Sequence, residues 1–364
     1  MRNHRETRRQ TMPNWLLVFA PLAIALHYFA PSHYALIFAS AAIAILPLAG
    51  WLGRATEQLA DRSGEGVGGL LNATFGNAAE LIISLAALHA GLQDVVKATI
   101  VGSIVGNILL VLGASMLAGG LRYHEQHFNV TGARAQATML TLAIIALVIP
   151  AAYSVLVGER YVGGEQALSI SISLVLLAVY AMFLVFSLLT HPSFFLGAKA
   201  AETEEEKQPW TLARSISVLA ASTVAIAWLS EILVGTIEPT AHAFGLSNIF
   251  VGVFVIAIIG NAAEHSTAIT AAMKNRMDLS MSIAIGSSIQ VALFVAPVLV
   301  MASLLIGPHP MDLLFGKGLL LAVFVAVVIT GQVASDGRSD WLKGVQLLTV
   351  YLILGLAFFL TPQA

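Results

Sequence analysis

The sequence predicts an all-α integral membrane protein with eleven transmembrane helices: one extra N-terminal helix plus two inverted five-helix repeats. Three observations predict this architecture. The 364 residues are 58% hydrophobic and only 10% charged, whereas soluble domains carry about 25% charged residues. Apolar segments long enough to cross a bilayer recur along the whole chain. The pentapeptide Gly-Asn-Ala-Ala-Glu occurs twice, at Gly76–Glu80 and at Gly260–Glu264.

Apolar length defines the individual spans, since crossing the hydrocarbon core takes about 20 residues as an α-helix. The predicted spans are 15–30, 34–52, 67–90, 96–119, 135–157, 167–190, 211–234, 246–271, 281–305, 314–333 and 341–360. The arginine-rich start resembles a signal peptide. No small-residue cleavage site follows the first apolar run, so we interpret that run as an uncleaved helix.

The distribution of positive charge predicts the orientation. With the N-terminus in the cytoplasm, fifteen of the 18 Lys and Arg residues lie inside, and only Lys97, Arg160 and Lys317 lie outside. Cytoplasmic loops of membrane proteins carry such an excess. We therefore expect a cytoplasmic N-terminus and a C-terminus on the outside.

The layout divides the chain into four parts. An N-terminal arm with the first helix covers 1–33, the first repeat 34–190, a cytoplasmic linker 191–210 and the second repeat 211–364. The linker is acidic, and its carboxylates are Glu202, Glu204, Glu205 and Glu206. A solvated loop and a regulatory segment both remain open for it.

The repeat is visible at an offset of 184 residues, where the halves align without a gap from Gly68 to Val111. Besides the pentapeptide, Gly102-Ser103 falls on Gly286-Ser287. Each half has five spans, and an odd number inverts the second copy relative to the first. The two pentapeptides should then meet near the midplane of the membrane.

The doubled motif carries the chemistry. Asn77 and Glu80 are three residues apart and share one helix face, and Asn261 and Glu264 do the same. A carboxylate at bilayer depth is costly, which favours function over packing for both Glu. Carboxylate and amide oxygens suit Ca²⁺. The predicted cation ligands are Glu80, Glu264, Asn77 and Asn261.

Two carboxylates neutralise one divalent cation. Without it they would repel each other in a medium of low dielectric constant, so protons would take its place. Gly76 and Gly260 are expected to let the backbone kink or approach a neighbour closely, which frees backbone carbonyls for other partners. Simple helix packing explains these glycines equally well.

Polar residues in the following spans are candidates to support this site. They are Ser103 and Asn107 in the fourth span, and Ser287, Ser288 and Gln290 in the ninth. Hydrogen bonding between helices is the alternative role. His265 has no counterpart, because Leu81 occupies its place in the first copy. A histidine beside a metal carboxylate suits proton coupling.

These residues resemble the calcium/proton exchangers, the CAX family of the calcium/cation antiporter superfamily. The resemblance rests on GNAAE at 76–80, GNAAEH at 260–265, GSIVGN at 102–107, GSSIQVALFVAP at 286–297 and SEILVGTIE at 230–238. It implies that Glu80 and Glu264 bind the cation, assisted by Asn77, Asn261 and backbone carbonyls. It also associates His265 with transport and the acidic linker with cation attraction or regulation.

We therefore predict a secondary antiporter that exchanges cytoplasmic Ca²⁺, or another divalent cation, for external protons by alternating access. A sodium/calcium exchanger is the first alternative, although Asn107 and Val291 stand where those proteins carry further acidic residues. A cation channel and an intramembrane enzyme are further alternatives that the sequence favours less. We expect no cofactor besides the transported ions, no nucleic-acid partner and a prokaryotic plasma membrane. The chain has no cysteine, which excludes disulfides and thiolate metal sites.

Overall fold

The structure, a computed structural model, describes residues 13–157, 164–191 and 210–361. A 3₁₀ turn at Asn14–Val18 begins the first half. The elements that follow are α1 (Phe19–Phe29), α2 (Tyr34–Phe75), α3 (Ala78–His89), α4 (Gln93–Val105), α5 (Leu112–Tyr123), β1 (Glu125–His127), α6 (Val130–Val157) and α7 (Gly164–Val185).

The remaining elements follow in the second half of the chain. Its elements are α8 (Leu212–Val234), α9 (Ile237–Phe244), α10 (Asn248–Val251), α11 (Ala257–Met273), α12 (Met277–Gln290), α13 (Ala296–Ala302), α14 (Lys317–Asp336), β2 (Arg338–Asp340) and α15 (Trp341–Phe359). Four π-helical turns extend these helices, at Gly106–Val111, Phe186–Thr190, Gly252–Ile256 and Val291–Val295.

The membrane character of the fold is clear from its helices. Within the described residues, nine helical segments are long and apolar enough to cross a bilayer, and Asn14–Phe29 and Ala78–His89 are shorter apolar helices. These two correspond to the first and third predicted spans. The third falls short because its helix is interrupted at Gly76 and Asn77. The nearly all-helical membrane fold is thus confirmed, whereas the count of eleven spans stays a prediction.

The helix α2 joins two predicted spans in one element of 42 residues. A straight helix of that length would extend about 63 Å, twice the thickness of the hydrocarbon core. Gly68 packs directly against the carbonyl group of Ala60, eight residues earlier. Eight residues of straight helix span about 12 Å, so α2 must bend sharply between these two residues.

The centre of the molecule is formed by α4 and α12, which occupy corresponding positions at the 184-residue offset. Every residue of α4 from Val95 to Val105 is buried. Gly102 permits the close approach of α4 to the turn at 252–256, because a Cβ atom there would lie 2.6 Å from the Cα atom of Val253. Helices buried on all sides read as apolar throughout, and polar residues within them are therefore conspicuous.

Residues near helix ends that were predicted on the same face contact each other. On the predicted outer face, Lys97 Nζ donates to Asp312 Oδ1 at 2.5 Å. On the predicted inner face, Gln126 Nε2 donates to the carbonyl of Ala272 at 2.9 Å. There β1 also pairs antiparallel with β2, with Gln126 opposite Ser339. The acidic carboxylates of the predicted linker lie outside the described residues.

Candidate cation-binding site

The first pentapeptide lies at a break between two helices. The helix α2 ends at Phe75, and Asn77 has φ −98° and ψ 23°, which are not helical values. The helix α3 begins at Ala78, so Glu80 lies in its first turn. The unpaired N–H groups and the dipole at a helix N-terminus stabilise a negative charge. This explains how a side chain with only 1% exposure can be a carboxylate.

The second pentapeptide is built differently. The helix α11 runs without a break from Ala257 to Met273 and includes both Gly260 and Glu264. The helix is therefore not broken at Gly260, whereas the chain breaks at Gly76. The nearest irregular backbone is the π-helical turn at Gly252–Ile256, which ends just before α11. The neighbours of Gly260 bear on the other predicted role, the close approach of a second element.

Each motif glycine faces the glutamate of the other motif. A Cβ atom at Gly260 would lie 3.3 Å from Glu80 Cβ, and one at Gly76 would lie 3.6 Å from Glu264 Oε1. The two pentapeptides thus pack against each other, glycine to glutamate in both directions. The absence of a side chain at Gly260 permits this close approach of the two helices.

Hydrogen bonds fix the Glu80 side of the site. Ser103 Oγ donates to Glu80 Oε1. Asn261 Nδ2 donates to Ser103 Oγ at 2.9 Å and to the carbonyl of Ala257 at 3.0 Å. Residues from α3, α4 and α11 are therefore joined in one chain of contacts.

The corresponding residues of the other half make a similar chain. Ser287 Oγ donates to Asn77 Oδ1 at 3.0 Å, and Asn77 Nδ2 donates to Gln290 Oε1 at 2.6 Å. Ser287 also lies beside the carboxylate of Glu264. The pairs Asn261–Ser103 and Asn77–Ser287 match at the 184-residue offset, although the donor is the amide in one pair and the hydroxyl in the other.

Three buried oxygens at the centre have no hydrogen-bond partner among the described residues: Glu80 Oε2, Glu264 Oε2 and Asn261 Oδ1. A buried acceptor without a partner is costly. Two carboxylate oxygens and one amide oxygen are hard ligands of the kind that Ca²⁺ takes. The described residues hold no group of three or more His, Cys, Asp or Glu that could bind a metal, so amide and other oxygens would have to complete the coordination.

The remaining predicted site residues divide into two groups. His265 directly follows Glu264, and its Nε2 lies 3.0 Å from Asn107 Oδ1. Asn107 therefore reaches the second pentapeptide through His265. Gln290 reaches the site through Asn77. Ser288 does not, because its hydroxyl donates to the carbonyl of Ala284 in its own helix at 2.9 Å. Its neighbour Ser287 takes the position facing the site.

Sequence reasoning missed the π-helical turns that follow the two site serines. They lie at Gly106–Val111 and Val291–Val295, which correspond at the same offset. Such turns in a helix are frequent at functional sites. No sequence signal marks these turns. The 184-residue offset predicts only that a turn found in one of the two spans should also occur in the other.

A helical membrane fold with the carboxylates of the buried Glu80 and the half-buried Glu264 close together fits the class of cation-exchanger membrane proteins. A family model described as sodium/calcium exchanger protein matches residues 33–189 and 214–360. The Ca(2+)/H(+) antiporter of Synechocystis is 46% identical over 368 residues, covering 95% of this chain and 96% of that protein. The Ca(2+)/H(+) antiporter ChaA of Bacillus subtilis is 46% identical over 328 residues, covering 90% and 92%.

A solved structure shares the fold as well. The structure of native YfkE has a TM-score of 0.81 and 40% identity, and the match covers 95% of this chain and 99% of that one. The chain therefore belongs to the sodium/calcium exchanger protein family, among its calcium/proton exchangers. The family resemblance that the two pentapeptides predicted is confirmed.

Proposed function

We propose that this protein is a secondary antiporter that exports Ca²⁺ from the cytoplasm in exchange for external protons. The observation that carries the proposal is the pair Glu80 and Glu264, each packed against the other motif's glycine and each with one buried carboxylate oxygen that lacks a partner among the described residues. The names of the relatives in Synechocystis and Bacillus subtilis support the same ions. We infer transport and not catalysis.

The site chemistry makes the two ions mutually exclusive. One divalent cation neutralises both carboxylates, and its departure leaves two like charges close together in a medium of low dielectric constant. Protonation of both removes that repulsion. Ser103 and Asn261 hold Glu80 in place during the exchange, so that the carboxylate keeps its position when the ion leaves.

The finer layout belongs to the same proposal. Eleven spans, an N-terminal helix and two inverted five-helix repeats would place both pentapeptides at the midplane, where transporters with inverted repeats bind their ions. The contacts Lys97–Asp312 and Gln126–Ala272 each join residues predicted on the same side of the membrane, which supports this arrangement of spans. Alternating access would then expose Glu80 and Glu264 to one side at a time, with the N-terminus in the cytoplasm of a prokaryote.

Inverted membrane vesicles test the proposal directly. An acidic vesicle interior should drive Ca²⁺ uptake, and Glu80→Gln or Glu264→Gln should abolish it. Asp61→Asn is the matched control, since Asp61 is an exposed carboxylate outside the motifs quoted above, and it should leave uptake intact. Uptake that survives in both site variants would reject the site, and flux without any counter-ion would indicate a channel.

Sodium/calcium exchange is the second candidate, because the matching family model carries that name. Asn107 and Val291 are the corresponding positions in the two central spans, and neither offers a carboxylate for additional sodium ions. The same vesicles loaded with Na⁺ at equal pH on both sides separate the candidates. Uptake under those conditions would favour sodium as the counter-ion.

A further inference from the structure

The two halves of the candidate site match at their asparagine–serine pairs but differ at two contacts, Asn77–Gln290 and His265–Asn107. Asn77 corresponds to Asn261 and Ser103 to Ser287 at the 184-residue offset. Gln290, however, corresponds to Gly106, which has no side chain. The site is therefore nearly symmetric in composition and asymmetric in its hydrogen bonding.

The two asparagine amides also differ in which of their atoms are hydrogen-bonded. Both ends of the Asn77 amide are engaged, since Nδ2 donates to Gln290 at 2.6 Å and Oδ1 accepts from Ser287 at 3.0 Å. Asn261 has no such glutamine. Its Nδ2 is engaged by Ser103 and a backbone carbonyl, while its buried Oδ1 has no partner among the described residues.

We propose that Gln290 is a positioning residue that holds Asn77 away from the transported cation in one access state only. The inference rests on the proposed function. When two inverted halves exchange conformations, each takes the arrangement that the other had. In the exchanged state Asn77 is released, while Asn261 meets Gly106 and is not held. The two states thus offer the cation different numbers of amide oxygens.

Unequal ligand sets give unequal affinities. The state in which Gln290 holds Asn77 binds the divalent cation more weakly, and the exchanged state binds it more tightly. Gln290 thereby sets the ratio of cation affinities at the two membrane faces. Its own side chain does not touch the cation and acts through Asn77.

The chain offers a direct test, because the contact can be moved from one half to the other. A Cβ atom at Gly106 would meet no side chain and no other element within 4 Å, so the first atom of a new side chain has room there. The measurement is Ca²⁺–Ca²⁺ self-exchange at equal pH, with half-saturating Ca²⁺ determined in inverted and in right-side-out vesicles. Ca²⁺ is the only ion whose concentration is varied.

Gln290→Ala should lower half-saturating Ca²⁺ at one face by about fivefold, the size of one neutral hydrogen bond, and leave the other face unchanged. Gly106→Gln alone should raise it at the other face. The double variant should reverse the order of the two faces. Gln136→Ala is the control, since that buried glutamine lies near Gly286 and not at Asn77.

Equal shifts at both faces, or no shift in either single variant, would overturn the inference while leaving antiport intact. If the unmodified protein showed no Ca²⁺ self-exchange at all, the proposed function itself would fail. Should Gln290→Ala not reach the membrane, Gln290→Met keeps the side-chain volume and removes the amide. Gly106→Gln tests the same claim independently.

Discussion

Replacing Gly260 by alanine tests the packing of the two pentapeptides with a single methyl group. The new Cβ atom would lie 3.3 Å from Glu80 Cβ and 3.4 Å from its Cα atom. Ordinary carbon contacts are about 3.5–4.0 Å, so Glu80 or α11 must shift by a few tenths of an ångström. The carboxylate moves with its backbone, away from Ser103 and from the other glutamate.

The magnitude separates folding from function. Overpacking costs about 1–3 kcal/mol, while alanine in a helix interior is about 1 kcal/mol better than glycine. The net change in the free energy of unfolding should therefore be at most about 2 kcal/mol. If about 1.4 kcal/mol of the strain falls on the cation-bound state, half-saturating Ca²⁺ rises about tenfold.

The assay is proton-driven Ca²⁺ uptake in inverted vesicles, with protein amount and thermal unfolding measured in parallel. Gly331→Ala is the matched control, because Gly331 lies inside α14 and a Cβ there has no described atom within 4 Å. Unchanged half-saturation in Gly260→Ala, at normal protein amount, would refute the argument that this glycine is required for the approach of Glu80.

Three further predictions follow from particular contacts. Ser103→Ala should raise half-saturating Ca²⁺ about tenfold, because a hydrogen bond to a charged group contributes about 1.5–3 kcal/mol; Ser288→Ala, whose hydroxyl bonds its own helix, should match the unmodified protein in the same vesicle assay. His265→Ala should reduce proton-driven uptake but spare Ca²⁺ self-exchange, and equal loss of both would argue against proton coupling. Lys97→Met should lower the free energy of unfolding by at least about 1 kcal/mol, because it removes both the pair between the buried Lys97 and the half-exposed Asp312 and a hydrogen bond to the carbonyl of Leu314; a denaturation series in detergent measures this, and an unchanged midpoint would contradict it.

Two kinds of signal in the sequence pointed to the candidate site: the repetition of the pentapeptide, and the free-energy cost of a carboxylate in an apolar membrane segment. Two carboxylates in apolar segments are conspicuous whatever their packing. The 184-residue offset aligns Glu80 with Glu264, and it likewise aligns the two asparagines of the motifs and the two site serines with each other. The membrane class follows from composition. All of these are properties of single residues or of the alignment of the halves, and no three-dimensional contact is needed to find them.

The backbone at the glycines could not be predicted in this way. Gly76 and Gly260 are followed by the same four residues, yet the chain breaks at one and stays helical at the other. Glycine permits both conformations, and tertiary packing decides between them. Similarly, Ser287 and Ser288 are adjacent and alike, and only the rotation of α12 determines which hydroxyl faces Asn77 and which bonds its own helix.

The π-helical turns after Ser103 and Ser287 have a geometric consequence for the buried helices that contain them. Such a turn holds one residue more than an α-helical turn, so the face presented after it is rotated by about 100° relative to a regular helix. Each central span can therefore direct hydroxyls at the site and apolar side chains at a different set of neighbours further along. Deleting one residue from 106–111 or from 291–295 would rotate the downstream half of that span by about 100° about the helix axis. Its side chains would then face the wrong neighbours, although none of them had been changed chemically.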